Sequence, residues 1–254
     1  VTSDDLVEEP EPVRPGLSLV VLGCDGSWAG PGGAGSGYLV TSGATTLMMD
    51  AGPGTFANLQ RRIDPASIDA VLLSHHHPDH WTDLHALSVH AHYALGRRGI
   101  PVYAPSGLIE RAGQVDPEAI DWHQVTDGDT VRIGEVVCSF HRTDHAFETL
   151  AVRIEGGGRV LGYSADTGPG FSMAELGTDL DLLLTEATYT FDHEGTADHM
   201  SGRQAGAQAR SADVARLVVT HRWPTIDPVT LLGEVEDAFG KPVEQAAIGK
   251  EFIL

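Results

Sequence analysis

Apolar residues in this chain come in short runs separated by glycine-, proline- and aspartate-rich turns, and that rhythm predicts strands alternating with helices. Leu17-Ser18-Leu19-Val20-Val21-Leu22 reads as a first strand, and the glycine-rich stretch from Gly23 to Gly37 leads into a second at Tyr38-Leu39-Val40. A third, Thr46-Leu47-Met48-Met49-Asp50, ends at Ala51-Gly52-Pro53-Gly54, before a helical stretch through Arg62. Ala70-Val71-Leu72-Leu73 begins a buried strand over 70–74. After it, Leu84, Leu87, Ala91 and Ala94 recur at helical spacing, which predicts a helix from Trp81 to Leu95.

The pattern then starts again. Pro101-Val102-Tyr103-Ala104 is a strand, residues 130–137 read as a hairpin turning at Gly134, and residues 150–163 as another turning at Gly156-Gly157-Gly158. Leu180 to Leu184 and Leu217-Val218-Val219-Thr220 are short, largely apolar and therefore expected in the middle of a sheet. Between them, Ser201-Gly202-Arg203-Gln204 fits a capping box opening a helix over 202–211. Two such halves with helices outside predict a layered α/β sandwich.

Composition narrows the partners. With 254 residues, 41% of them hydrophobic, the chain can bury one large core or two closely packed halves. Its 36 acidic against 16 basic residues give a formal charge of -20, which opposes a long nucleic acid held through its phosphates. Cys24 and Cys138 make no disulfide framework and no zinc-type pair, and are expected as small buried fillers. The first residues lack the basic and apolar regions of a signal peptide, and no apolar run approaches the roughly 18 residues of a membrane span. The expectation is a cytoplasmic protein without a membrane partner, in which residues 1–16 form a flexible acidic leader and 17–254 a single domain.

The candidate chemistry lies at the strand ends. Directly after Leu73 comes Ser74-His75-His76-His77-Pro78-Asp79-His80, a density of imidazole and carboxylate that few structural needs explain. Thr143-Asp144-His145, Ser164-Ala165-Asp166 and Thr220-His221 place further candidate ligands at strand ends. Together His75, His77, Asp79, His80, His145, Asp166 and His221 are too many for one tetrahedral ion and suit two ions sharing a carboxylate. His141, four residues before His145, is a rival for that position; His145 is preferred from its place relative to the following strand. His76 should point away, since neighbours in extended chain alternate. His85, His90 and His92 are expected to pack or face solvent on the helix. The Gly23 to Gly37 loop lacks the Gly-Lys-Ser/Thr ending of a P-loop and is expected to border the site.

His75-x-His77-x-Asp79-His80, with later ligands in order, resembles the metallo-β-lactamase superfamily. The resemblance implies a four-layer αββα sandwich, one metal held by His75, His77 and His145, a second by Asp79, His80 and His221, and Asp166 as the bridge. It also makes Asp50 the aspartate that steadies the cluster. Tyr163-Ser164-Ala165-Asp166-Thr167, Thr185-Glu186-Ala187-Thr188 and His199-Met200-Ser201 are similar to the ribonuclease Z branch, which implies that Glu186 orients His199 and that His199 stabilises or protonates the leaving oxygen. Two divalent ions are implied, zinc foremost, with manganese or iron also fitting this nitrogen and oxygen donor set.

The departures concern the substrate. That branch usually has His where Thr185 stands and Ser-Thr where Met200-Ser201 stand, and its long basic arm for tRNA should fall between the ligands matching His145 and Asp166. Only a hairpin spans them here. With the acidic charge, this points to a small phosphodiester such as a 3′,5′-cyclic nucleotide. The chain also resembles short actinobacterial members of the branch that hydrolyse cyclic AMP, through Leu22-Gly23-Cys24-Asp25-Gly26-Ser27 and Ser36-Gly37-Tyr38-Leu39. Asp79 is then a candidate to accept the water's proton. The other readings are tRNA 3′ cleavage, lactone or β-lactam hydrolysis, and a non-catalytic metal or nucleotide-binding module; a homodimer is expected by analogy with the branch.

Overall fold

The computed structural model describes residues 16–112 and 115–254, so residues 1–15 of the expected acidic leader lie outside the described residues. The strands are β1 (Ser18–Gly23), β2 (Gly37–Ser42), β3 (Thr45–Ala51), β4 (Ala70–Leu72), β5 (Ile100–Ala104), β6 (Ile120–Gln124), β7 (Thr130–Ile133), β8 (Val136–Arg142), β9 (Leu150–Gly156), β10 (Arg159–Tyr163), β11 (Leu182–Glu186), β12 (Leu217–Thr220), β13 (Val243–Gln245) and β14 (Glu251–Ile253). Among the described residues they form two seven-stranded sheets, one ordered β14-β1-β2-β3-β4-β5-β6 and the other β13-β12-β11-β10-β9-β8-β7. The helices are α1 (Thr55–Leu59), α2 (Leu84–Val89), α3 (Ser106–Arg111), α4 (Gly202–Ser211) and α5 (Pro228–Phe239).

Strand period explains the layers. In β1, Leu19 and Val21 enter the core between the sheets, while Val20 and Leu22 pack against the helices outside. In β11, Leu182 and Leu184 face the inter-sheet core and Leu183 faces α4 and α5. Strands buried on both faces must read as unbroken apolar runs. The result is the layered α/β sandwich that the pattern predicts, in the four-layer αββα form that the resemblance implies.

Most boundaries agree with the pattern, and the exceptions have local causes. The helix expected from Trp81 starts only at Leu84, because Pro78–His80 forms a short 3₁₀ turn that spends those residues on aiming the histidine cluster. At His90 it widens into a π-helical segment running to Leu95. That change of phase leaves Leu84, Leu87 and Ala91 buried but turns Ala94 outward. The strand expected from Leu180 begins at Leu182, since Leu180 already packs among the outer helices. The capping box is present: Ser201 Oγ accepts from the Gln204 amide and the Gln204 side chain accepts from the Ser201 amide. Helices α3 and α5 and strands β6, β13 and β14 were not anticipated. Of these, α5 carried a legible signal, with Asp227 capping, Pro228 in the first turn, and Leu231, Val235 and Phe239 on one face.

Candidate metal centre

β3 runs parallel to β4, and β10, β11 and β12 run parallel to one another, so their carboxyl ends open along one edge of each sheet. Each predicted ligand but His145 follows such an end, and His145 follows β8, which runs in the same direction as β10 because both are antiparallel to β9. Asp50, Ala165 and His221 adopt left-handed φ of 56°, 50° and 56°, a conformation that non-glycine residues hold only where the surroundings enforce it.

All seven predicted ligands converge. His77 Nδ1 lies 3.0 Å from His75 Nε2 and 3.3 Å from His145 Nε2. Asp166 Oδ2 is 3.4 Å from His75 Nε2, whereas its other oxygen, Oδ1, is 3.2 Å from His80 Nε2 and 3.3 Å from His221 Nε2. Asp79 Oδ2 completes the second group, 3.3 Å from His221 Nε2. Asp166 therefore offers one oxygen to each of two histidine groups. His141, in β8, is in neither group.

These residues fit two cations. Donors about 2.0–2.1 Å from a tetrahedral ion are separated by about 3.3 Å, the spacing seen here. His80 Nε2 and Asp166 Oδ1 are buried, face one another and have no hydrogen-bond partner among the described residues, a costly arrangement for atoms that nothing else satisfies. Burial holds His75 down to about 3 and His77 to about 4, so both present neutral lone pairs at pH 7. Burial would raise Asp79 and Asp166, but the neighbouring histidines outweigh it and hold both well below the usual carboxylate range.

The imidazoles are held from behind. His80 Nδ1 bonds Asp50 Oδ2 at 2.8 Å, His221 Nδ1 meets Thr188 Oγ1 at 3.0 Å, and His145 Nδ1 donates to the Asp198 carbonyl at 2.9 Å. In each case Nε2 is left facing the cluster. Asp50 is fully buried and also accepts from the Ser74 amide and hydroxyl and from the Tyr163 phenol. Asp50 was named from the sequence; Ser74, Thr188 and Tyr163 were not, because their roles depend on partners distant in the chain.

Glu186 and His199 form a second buried unit. Glu186 Oε1 accepts from His199 Nδ1 at 2.9 Å and from the Thr167 amide, and Oε2 accepts from the Thr188 hydroxyl and the Met200 amide. Through Thr188, Glu186 also reaches His221. A nitrogen of His199 lies within 4.8 Å of ligand atoms of Asp166 and His221. Burial lowers the affinity of His199 for a proton, but the Glu186 carboxylate prevails and raises its pKa to about 9.

The remaining histidines stay out of the cluster. His76 packs at a tilt on Phe147 with ring centroids 4.0 Å apart, His85 packs on Trp81, His90 meets the edge of Phe56 and His92 pairs with Asp116. The glycine-rich loop does border the site, and the Ser27 amide donates to Asp79 Oδ2 at 2.8 Å. The sequence offered no signal for that backbone contact.

Comparison with known proteins agrees with this architecture. A model of the β-lactamase superfamily domain matches residues 45–222. An uncharacterized protein of Mycobacterium tuberculosis is 34% identical over 251 residues, covering 93% of this chain and 92% of its own. The probable metallo-hydrolase YhfI of Bacillus subtilis is 30% identical over 216 residues, or 81% of this chain and 86% of its own. The YhfI crystal structure matches with a TM-score of 0.87 at 27% identity, over 93% of this chain and 99% of its own. A ribonuclease Z of Methanopyrus kandleri is 28% identical over 263 residues, spanning 88% of this chain and 93% of its own.

Proposed function

The chain belongs to the β-lactamase superfamily and is a metal-dependent hydrolase, and from that premise we propose that it cleaves a small phosphodiester, such as a 3′,5′-cyclic nucleotide, at a site holding two divalent ions, zinc foremost. The observation that carries the reading is the division of the Asp166 oxygens between two histidine groups, with the Glu186–His199 pair alongside. His75, His77 and His145 would hold one ion, Asp79, His80 and His221 the other, and Asp166 both. When bound, such a pair lowers the pKa of a water and offsets charge gathering on the phosphoryl oxygens.

The chain's own residues divide the proton work. Asp79, ionised and fixed by the Ser27 amide, is placed to accept the attacking water's proton as the new oxygen–phosphorus bond forms. His199, kept protonated by Glu186, gives its proton to the leaving sugar oxygen as the old bond breaks. Glu186 holds the ring in orientation through the bond to Nδ1. A small substrate is favoured over tRNA because the charge of -20 removes the counterion-release gain on which long nucleic acids depend, and because only the β9–β10 hairpin lies between His145 and Asp166. The ribonuclease Z relative supports phosphodiester chemistry at such a site.

The test is a metal-reconstituted assay on a panel of cyclic nucleotides, bis-p-nitrophenyl phosphate, precursor tRNA, a lactone and a β-lactam. Hydrolysis of a cyclic nucleotide supports the reading. Activity confined to the lactone and β-lactam would overturn it, and cleavage of precursor tRNA in preference to cyclic nucleotides would transfer it to tRNA processing.

A further inference from the structure

The geometry points to Trp28 as a stacking platform for the substrate's nucleobase, with Trp223 as the residue that positions it. The inference rests on the cyclic-nucleotide reading and adds a subsite to it. Trp28 is 45% exposed, an unusual cost for the largest apolar side chain, and it follows Ser27, whose amide bonds the Asp79 carboxylate. Successive Cα atoms are about 3.8 Å apart, so the Trp28 backbone lies one residue from the loop contact with Asp79. A cyclic nucleotide carries its base one sugar away from its phosphate. A phosphodiester held at Asp79 and His221 would carry its base toward the loop that bears this indole.

The loop is fixed there by strain and by two bonds. Ser27 has a left-handed φ of 60°. Its amide is committed to Asp79, and its hydroxyl accepts from Trp223 Nε1 at 2.9 Å. Trp223 lies two residues after His221, its ring 5.8 Å from that of Trp28 and 5.6 Å from that of the buried Tyr189. The platform therefore rests on an anchored aromatic cluster, tilted at Trp223 and edge-on at Tyr189. Arg222, between His221 and Trp223, turns back on its own loop, where Nη1 donates to the Trp223 and Ile226 carbonyls. The exposed part of Trp28 offers an apolar π-face, which suits a base. A purine covers more of an indole than a pyrimidine, so purine cyclic nucleotides should be preferred.

Kinetics of the metal-loaded Trp28→Ala and Trp28→Phe variants on cyclic AMP, cyclic CMP and base-free ribose 3′,5′-cyclic phosphate test the platform. Trp28→Ala should raise KM for cyclic AMP about tenfold more than for the base-free compound, and Trp28→Phe should restore most of the loss. Equal changes for both substrates would overturn the proposal. Titration with adenosine 5′-monophosphate, followed by tryptophan fluorescence, reads the subsite without turnover. Saturable quenching that Trp28→Ala abolishes supports it, and no saturable quenching in the wild-type protein overturns it even if cyclic AMP is hydrolysed. Quenching without hydrolysis of any cyclic nucleotide would instead sink the phosphodiesterase reading and leave a nucleotide-binding platform.

Discussion

Tyr163, at the end of β10 in one sheet, donates its phenol to Asp50, at the end of β3 in the other, across 2.7 Å. The same Asp50 oxygen accepts from His80 Nδ1, so a bond between the sheets also orients a metal-binding imidazole. Tyr38 and Thr220 form a similar cross-sheet bond at 2.6 Å, one residue before His221. The core and the site are thus joined where the two sheets meet.

Tyr163→Phe should keep the ring packing and remove that bond. The loss expected is about 1–2 kcal/mol of stability, measured by urea denaturation. Zinc affinity should fall by about tenfold or more, measured by competition with a chelator, because outer partners of metal-binding histidines carry effects of that size. Unchanged affinity would show that Ser74 alone suffices to hold Asp50.

Asp166→Ala should lose both ions and His77→Ala chiefly one, which metal analysis of the purified proteins would distinguish. Turnover in both should fall by at least about a thousandfold, in line with the share of catalysis that such ions supply. Chelation of the wild-type protein should also lower its melting temperature, since an ion that binds only the folded state at 100 times its Kd contributes about 2.7 kcal/mol.

In the metal-free protein, the His199 ring should titrate near pH 9 by NMR. Its folded pKa lies above the unfolded value, so its contribution to stability is complete below about pH 6.5 and disappears as pH rises through 9. Glu186→Gln removes the charge that causes this and should bring the titration down, with the loss of stability at high pH absent. A His199 pKa unchanged in Glu186→Gln would contradict the pairing.

Gly206→Ala tests the contact between α4 and α5. A Cβ there would overlap the Val235 carbonyl, so the helices must separate. Overpacking costs about 1–3 kcal/mol, against about 1 kcal/mol gained in helix propensity, and a net loss of stability is expected in denaturant. A stabilised variant would mean that the helices separate easily.

Strands such as β1, β4 and β11 were legible because they are buried on both faces, as with Val20 and Val21 in β1, and a run of apolar residues reports that locally. The ligands were legible for a related reason: they follow those strands, and histidine and aspartate at such density have few other uses. Helix α5 was legible too, through Asp227, Pro228 and Gly240, but went unread. Strand β14 was not, since Phe252 pairs with Leu19 from the far end of the chain and its three residues carry no distinctive pattern.

By itself, then, the sequence determined the alternation of elements, the acidic balance and the donor set, all properties of neighbouring residues. Only the tertiary structure decided how the Asp166 oxygens are shared, that His145 and not His141 joins the cluster, that Tyr163 holds Asp50, and that the Ser27 amide bonds Asp79. These are matters of direction between atoms brought together from distant positions by sheet register and loop strain. A one-dimensional pattern records which residues are present but not the angle at which they meet.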